Sequence, residues 1–387
     1  MKKRQYIIFM IMCLLVDTSC HTNSNNVVLD DGNTLVLPIE KTELMLADTS
    51  IVSSSRIIPL ETTDDCLIRE INRILLPEDK LVVFDDKGDC VYLFDINGKF
   101  IKKIGERGEG PQEYNQISDI SIFPTMKCIA ILCDRPYKIM FFDFSGIFLN
   151  EVSFEKYYSD IAIHDETIIC RVEKNDGTTQ LDTYTYPMVL QDSYILPSMF
   201  SYSYGKSSDN IYSFSKGNRM TSGHAVSLTL PYTPVVYTYE NNEIRPKYRI
   251  DFADKWITED VFDRRFSPTD FLSYCREKRL KYTLENVLET SRFLLMNTDS
   301  SLLIYDKAEN VLKQYSFLIN SITQMGSADI LPIPYKNSFA QTEMASLFCS
   351  IMENNIKQGK SISDELMNLY SQVSPEDNPI IIIYEIE

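Results

Sequence analysis

The chain has 387 residues, 44% of them hydrophobic and 11% aromatic, which is enough apolar surface for a packed core and excludes wholesale disorder. Its formal net charge of −17 argues against nucleic acid as a partner and against electrostatic docking to anionic lipid. The 23 tyrosines and 20 phenylalanines, together with many isoleucines and valines, favour β-structure.

The N-terminus resembles a bacterial lipoprotein signal. A basic start at residues 2–4 precedes an apolar run at 6–16 that is too short to span a bilayer. We therefore predict that residues 1–19 are a signal peptide and that Cys20 is lipidated. Asp17 departs from the usual pattern, since an apolar residue is common three positions before the cysteine. The alternative is ordinary signal cleavage that releases a soluble periplasmic protein.

Beyond a tether and N-terminal segment expected at residues 20–50, short apolar segments separated by tight turns recur. The turn after the third segment is the clearest marker: Leu93–Gly98 in the first set matches Phe141–Gly146 in the second. Asp95 and Asp143 lie 48 residues apart, and a fixed period of this size is typical of propellers and solenoids. Each set predicts a four-stranded antiparallel meander.

Later sets are looser but extend the pattern to the C-terminus. Five sets are clear, and a sixth is partial, with strands near Ile330–Ile333 and Ile380–Ile386. The unassigned N-terminal strand Ile51–Leu60 could complete it, because closure by strands from both ends removes exposed sheet edges. The sequence therefore predicts an all-β, six-bladed β-propeller over residues 51–387. Helical patterns near 267–285 and 342–373 predict insertions in the late blades.

Four features together carry a resemblance to a known family: Cys20, the segment Arg56–Glu61, the turn Phe94–Gly98 and the glycine-rich stretch Gly105–Tyr114. They resemble the six-bladed β-propeller lipoproteins of gut Gram-negative anaerobes, which are similar in turn to NHL-repeat propellers. The likeness covers roughly residues 50–155. It implies a propeller fold and a place in the cell envelope of a Gram-negative bacterium, lipid-anchored on the periplasmic or outer-membrane face. It implies no reaction and no catalytic residues.

The stretch from Gly105 to Tyr114 is the first candidate ligand site. It connects the first blade to the second, and propeller ligands commonly bind on such loops at a mouth of the central channel. Arg107 could hold a carboxylate or phosphate, Glu109 and Glu113 could bind sugar hydroxyls or a cation, and Tyr114 could stack on a ring. The alternative is structural: the glycines make the turn, Arg107 pairs with a neighbouring acid, and Tyr114 packs between blades.

The second candidate is the Tyr/Ser-rich segment 194–212, in which Tyr202 and Tyr204 alternate with polar residues. Aromatic rings of this kind bind sugars by stacking, although an ordinary surface loop is the alternative. No metal, cofactor or catalytic residue is predicted, because His164 and His224 lack His or Cys at ligand spacing and no G-x-S-x-G motif is present.

The sequence thus predicts a binding or scaffold propeller that recognises a glycan, peptide or protein partner at the channel mouth. We expect a monomer that reaches the membrane through the Cys20 lipid only. The alternative is an NHL-like propeller enzyme, a lyase or hydrolase that acts at the channel mouth. The shortage of histidine favours binding over catalysis.

Overall fold

A computed structural model describes residues 24–386 apart from residues 175, 198, 200–218, 265 and 300. The described part is predominantly β-structure, with three α-helices. Three strands come first in the chain: β1 (Ser24–Asn26), β2 (Leu35–Ala47) and β3 (Val52–Pro59).

Three antiparallel meanders of four strands follow. Unit 1 comprises β4 (Ile71–Leu75), β5 (Lys80–Asp85), β6 (Cys90–Asp95) and β7 (Phe100–Ile104). Two short strands, β8 (Glu106–Arg107) and β9 (Glu113–Tyr114), lie in the connection to the next meander. Unit 2 comprises β10 (Gln116–Phe123), β11 (Cys128–Arg135), β12 (Lys138–Asp143) and β13 (Phe148–Ser153). Unit 3 comprises β14 (Asp160–His164), β15 (Thr167–Glu173), β16 (Thr179–Thr185) and β17 (Val189–Leu196).

The later meanders carry the helices. Unit 4 comprises β18 (Met220–Thr221), β19 (Val226–Thr229), β20 (Val235–Glu240) and β21 (Glu243–Asp251), and helix α1 (Pro268–Lys278) follows it. Unit 5 comprises β22 (Glu285–Glu289), β23 (Phe293–Thr298), β24 (Ser301–Asp306) and β25 (Val311–Ile319), with the short β26 (Gly326–Ser327) paired to β25. The last elements are β27 (Leu331–Pro332), β28 (Ser338–Glu343), α2 (Ala345–Lys357), α3 (Asp364–Tyr370) and β29 (Ile380–Ile386). All three helices lie within the segments that the sequence predicts to be helical.

Strand β3 completes the last meander. It pairs antiparallel with the C-terminal strand β29, with Pro59 opposite Ile380 and Arg56 opposite Ile383. Unit 6 therefore has the strand order β27-β28-β29-β3. The sequence-based prediction that Ile51–Leu60 supplies the missing outer strand is confirmed by this pairing.

The segment before β3 is bound to the sheets. Strand β1 pairs parallel with the outer strand of unit 3, where Ser24 lies opposite Ser193. Strand β2 pairs parallel with β21 through its first half and with β25 through its second half. It thereby joins units 4 and 5 into one continuous sheet. A tether was expected for residues 20–50, whereas much of that segment covers three sheet edges.

The core lies between neighbouring units, because strand residues alternate between the two faces of each sheet. Cys133 packs into the apolar cluster between units 1 and 2, and Cys128 packs into the cluster between units 2 and 3. The two cysteines therefore lie on opposite faces of β11, as their spacing predicts. The seven cysteines in the described ranges are free thiols.

The first strands of the units meet at the centre. Each contacts the first strand of the following unit, and β27 of unit 6 contacts β4 of unit 1. In a four-stranded meander, the turn between the second and third strands lies at the same end as the connections to neighbouring units. We call this end of the molecule the crossover end. Among the described residues, no helix is long and apolar enough to cross a membrane.

Candidate functional site

The connection from unit 1 to unit 2 folds back on itself at the crossover end. Strands β8 and β9 pair in parallel, with Glu106 opposite Glu113. Gly105 has a φ of +77°, and a Cβ at this position would lie 2.8 Å from the ring of Tyr114. The backbone N–H of Gly110 donates to the Glu113 carboxylate at 2.8 Å. Gly105 is thus required by both the backbone conformation and the close approach of the tyrosine ring.

Tyr114 is a packing residue in this arrangement. Its side chain is 2% exposed and lies in the apolar cluster between units 1 and 2, with Ile104 and Phe142 among its neighbours. Burial raises the pKa of its phenol above the ordinary value. These contacts match the alternative in which Tyr114 packs between blades, because the ring lies inside the molecule rather than on its surface.

The charged residues of the same connection lie nearer the solvent. Arg107 donates from Nη2 to Asp89 Oδ2 at 3.0 Å, in an exposed pair. Glu109 is exposed and accepts a hydrogen bond from Asn115 Nδ2 at 3.3 Å. Glu113 is half-buried because its carboxylate is turned toward Gly110. Of the four candidates in this stretch, Arg107 and Glu109 present exposed charges.

Arg107 lines a surface cleft of about 250 Å³ at the crossover end of unit 1, which we call the basic cleft. The cleft has four basic side chains and two acidic ones: Arg69, Lys87, Lys103, Arg107, Asp64 and Asp65. They come from four separate parts of the chain that the meander brings to one end. The sequence offered no local signal for this grouping, since Arg69 and Arg107 are far apart along the chain.

Two of the four cations are held by nearby acids, and two are not. Arg107 pairs with Asp89, and Lys87 Nζ lies 3.8 Å from Asp86 Oδ2. Neither Arg69 nor Lys103 forms an ion pair with any residue that the structure describes. Lys103 Nζ lies 5.8 Å from the centre of the Tyr92 ring, which forms one wall of the cleft. The cleft can accommodate an anionic group between a guanidinium and an ammonium.

The remaining predicted site residues fall outside the described part of the chain. These are Tyr202 and Tyr204 in the Tyr/Ser-rich segment and Cys20 at the predicted lipidation site.

The centre of the ring of first strands holds a buried charge cluster. Arg73 on β4 donates from Nε and Nη2 to both oxygens of Asp119 on β10. Its third donor, Nη1, reaches the carbonyl oxygen of Met220 at 3.1 Å. Burial raises the pKa of Asp119 to about 6, and the Arg73 guanidinium opposes this rise. Both side chains are committed to each other and to the backbone, so this cluster is structural.

A second cleft, of about 460 Å³, lies at the opposite end and includes His224 and Glu289. Glu289 accepts hydrogen bonds from Lys247, Tyr248 and Lys307. Burial raises the pKa of Glu289, but the hydrogen bonds from Lys247, Lys307 and Tyr248 outweigh it and hold that pKa below its usual value. The carboxylate is therefore ionised and fully engaged. Within the described ranges, no group of three His, Cys, Asp or Glu side chains could hold a metal ion.

The sequence matches the family model "Domain of unknown function (DUF4934)" over residues 35–385. The chain belongs to this family. No curated protein matches the sequence.

The fold is similar to that of solved structures. A Bacteroides fragilis protein described as a "Putative exported protein" matches with a TM-score of 0.70 and 17% identity, covering 91% of this chain and 99% of that one. A member of the duf4221 family from Bacteroides vulgatus has a TM-score of 0.46 at 11% identity, with coverage of 87% and 98%. A β-propeller domain from Myceliophteria thermophila has a TM-score of 0.38 at 12% identity, with coverage of 72% and 95%. The first match shows that the fold is shared with a bacterial protein.

Proposed function

We propose that this protein is a six-bladed β-propeller that binds a partner in the bacterial cell envelope through its crossover end. The six meanders, the cyclic contacts between their first strands and the pairing of β3 with β29 support the blade count. Lipid attachment at Cys20 would hold the propeller at the membrane and leave the crossover end free to meet a glycan, peptide or protein.

The observation that carries the proposal is the convergence of Arg69, Lys87, Lys103 and Arg107 on one cleft. The chain as a whole has 55 acidic and 38 basic residues, whereas basic residues outnumber acidic ones on the lining of this cleft. Such a site attracts an anionic group, and a guanidinium can bind a carboxylate or phosphate through two parallel hydrogen bonds. The basic cleft is therefore the proposed contact for an anionic group on the partner.

The experiment measures binding of labelled polyanions to the full chain made soluble by Cys20→Ser. Polygalacturonate supplies a carboxylate-bearing glycan, poly-glutamate a carboxylate-bearing peptide, and dextran a neutral glycan. We expect saturable binding of one polyanion and none of dextran. Arg69→Ala with Lys103→Ala should weaken that binding by about tenfold or more, because each charge-assisted hydrogen bond contributes about 1.5–3 kcal/mol.

Lys127→Ala is the matched control. Lys127 is an exposed lysine paired with an exposed Glu78, as Arg107 is paired with Asp89, but it lies at the opposite end of the sheets. Its removal should leave binding unchanged. Equal weakening by Lys127→Ala, or unchanged binding after the loss of Arg69 and Lys103, would overturn the proposal.

A further inference from the structure

The connection from unit 4 to unit 5 borders an open cavity of about 830 Å³ beside α1, which we call the α1 cavity. Its walls come from α1, from the segment around Phe252, from β2 and from the turn between β23 and β24. A volume of this size is typical of small-molecule sites. The α1 cavity lies at the crossover end but is separate in sequence from the basic cleft.

The insertion that lines the cavity is attached to the scaffold. Trp256 donates from Nε1 to the carbonyl oxygen of Tyr232 at 3.1 Å and stacks on Phe252 with 4.9 Å between ring centroids. The backbone N–H of Lys281 donates to the carbonyl oxygen of Lys255 at 2.6 Å, which closes the base of the insertion. Trp256 thus connects the insertion to unit 4. The base of the insertion is therefore tied to unit 4 and to its own return segment.

Helix α1 presents two faces. Ser267 caps its N-terminus by accepting from the backbone N–H of Asp270 at 3.2 Å, and Pro268 occupies the first helical position. Phe271 is fully buried in the core of the insertion. On the neighbouring face, residues at helical spacing line the cavity: Leu272, Cys275, Arg276 and Arg279.

The helix brings two guanidinium groups to the cavity without acidic partners. Arg276 and Arg279 are exposed, and neither forms an ion pair with a described residue. Two further cations on the lining are already engaged. Lys255 pairs with Asp254, and Lys281 donates to the carbonyl oxygen of Asp299 and to Ser301. Each free guanidinium can bind a carboxylate through two parallel hydrogen bonds.

Asp299, which also lines the cavity, has a carboxyl oxygen that lacks a partner among the described residues. Asp299 accepts through Oδ2 from the backbone N–H of Tyr282 at 2.8 Å, whereas its Oδ1 is buried and meets no donor among the described residues. Burial raises the pKa of Asp299 to about 7, Lys281 opposes the rise and Glu285 adds to it. A buried polar atom without a hydrogen bond costs about 1–3 kcal/mol, and a bound hydroxyl would remove that cost.

The rest of the lining is mixed. Ile39, Leu280 and the ring of Tyr282 form an apolar surface, and Thr42 and Gln314 add polar groups from β2 and β25. An apolar wall beside hydroxyl-binding groups suits a sugar ring, whose C–H face is apolar and whose edge carries hydroxyls.

We propose that the α1 cavity binds a small acidic sugar. Arg276 and Arg279 hold its carboxylate, Asp299 bonds one of its hydroxyls, and the apolar wall covers its C–H face. The inference does not depend on the basic cleft, because no residue is shared between the two sites.

The test uses the full chain carrying Cys20→Ser and three small probes: glucuronate, glucose and hexanoate. Calorimetry should show saturable binding of glucuronate and at least tenfold weaker binding of the other two. Glucose has the hydroxyls without the carboxylate, and hexanoate has the carboxylate without the hydroxyls. Equal or tighter binding of either one, or no saturable binding of glucuronate, would overturn the proposal.

Variants separate the roles of the residues. Arg276→Ala with Arg279→Ala should weaken glucuronate binding by about tenfold or more, and Asp299→Ala should weaken it by about fivefold or more. Asp299→Asn keeps a hydrogen-bonding side chain of the same size and should retain most of the affinity. Arg264→Ala is the matched control, since Arg264 is an exposed arginine of the same insertion that pairs with Asp260 away from the cavity. Binding that survives the double substitution would refute the assignment.

The same measurement distinguishes this site from the proposed function. Arg107→Ala should leave glucuronate binding in the α1 cavity unchanged. Binding of glucuronate but of no polyanion would support the α1 cavity as a site and rule out the basic cleft. Binding of a polyanion but not of glucuronate would support the basic cleft and rule out the α1 cavity.

Discussion

Arg73 and Asp119 form a bidentate pair at the centre of the molecule, with 2.7 Å between Nε and Oδ1 and 2.9 Å between Nη2 and Oδ2. Both side chains are almost completely buried. Arg73 also bonds the backbone of β18, and Asp119 accepts from the backbone N–H of Ile161 on β14. One ion pair therefore links the first strands of four units.

Removing either partner should destabilise the protein strongly. Arg73→Ala leaves the Asp119 carboxylate buried without its counter-charge, and Asp119→Ala leaves the guanidinium in the same position. We expect each to lower the free energy of unfolding by about 3–5 kcal/mol, as measured by urea denaturation.

The double substitution Arg73→Met with Asp119→Leu is the control. It removes both charges and refills the space, so it should cost less than either single substitution. A cost near the sum of the two single values would show that the two residues act independently.

Substitutions of Tyr114 and Arg107 should have different effects on stability, because Tyr114 is a packing residue and Arg107 is an exposed residue of the same connection. Tyr114→Ala removes a buried ring and should lower the free energy of unfolding by about 3–5 kcal/mol. Arg107→Ala breaks an exposed ion pair and should change it by less than about 1 kcal/mol. Thermal unfolding of the two variants measures both effects. A large loss of melting temperature in Arg107→Ala would assign Arg107 a structural role instead.

The sheets could be predicted from sequence because their turns are local. Asp95 Oδ1 accepts from the backbone N–H groups of Asn97 and Lys99, and Asp143 Oδ1 accepts in the same way from Ser145 and Ile147. An aspartate followed three residues later by glycine marks this turn in units 1 and 2, and the two copies set the 48-residue period.

The charge clusters could not be predicted because they form between distant strands. Arg73 and Asp119 are 46 residues apart, and Arg69 meets Arg107 only after unit 1 has folded. The sequence does contain a signal for the central pair Arg73 and Asp119. Each is a charged residue within a largely apolar strand, and the two occupy similar positions in their units. The sequence does not indicate the long parallel strand β2, because Glu40, Lys41 and Glu43 give its second half a polar, loop-like pattern.

Glu343 on β28 should make stability depend on pH. It is buried, its Oε1 meets no donor within the described ranges, and burial raises its pKa from the ordinary 4.5 to about 7. The folded state then binds the proton more tightly than the unfolded state does. The contribution of Glu343 to the free energy of unfolding therefore falls as the pH rises from about 4.5 to about 7.

Glu343→Gln should remove this pH-dependent loss of stability. At pH 8 the variant should be more stable than the wild type by about 1–2 kcal/mol, and at pH 5 the gain should be smaller. Urea denaturation at the two pH values provides the measurement. Glu166→Gln, at an exposed glutamate, should show no such change. The same gain at both pH values would contradict the role of ionisation.

Cys20→Ser tests the predicted lipid anchor. If Cys20 is acylated, the variant should leave the membrane fraction and appear in the soluble envelope fraction, because the protein is expected to reach the membrane through this lipid only. The distribution is measured by fractionation and immunoblotting of cells that express the full chain. Unchanged membrane association would show that the anchor lies elsewhere.

Arg279 ends helix α1 in the left-handed conformation, with a φ of 55°. Glycine adopts this conformation without a steric cost, whereas a side chain pays about 1 kcal/mol. Arg279→Gly should therefore raise the free energy of unfolding by about 0.5–1 kcal/mol and, at the same time, weaken glucuronate binding in the α1 cavity. Arg279→Ala removes the same cation but keeps the strained backbone, so it should weaken binding without stabilising the fold. The gain in stability depends only on the backbone conformation, and the loss of affinity depends only on the side chain. If Arg279→Gly stabilises the protein but glucuronate binding is undiminished, Arg279 does not contact the sugar.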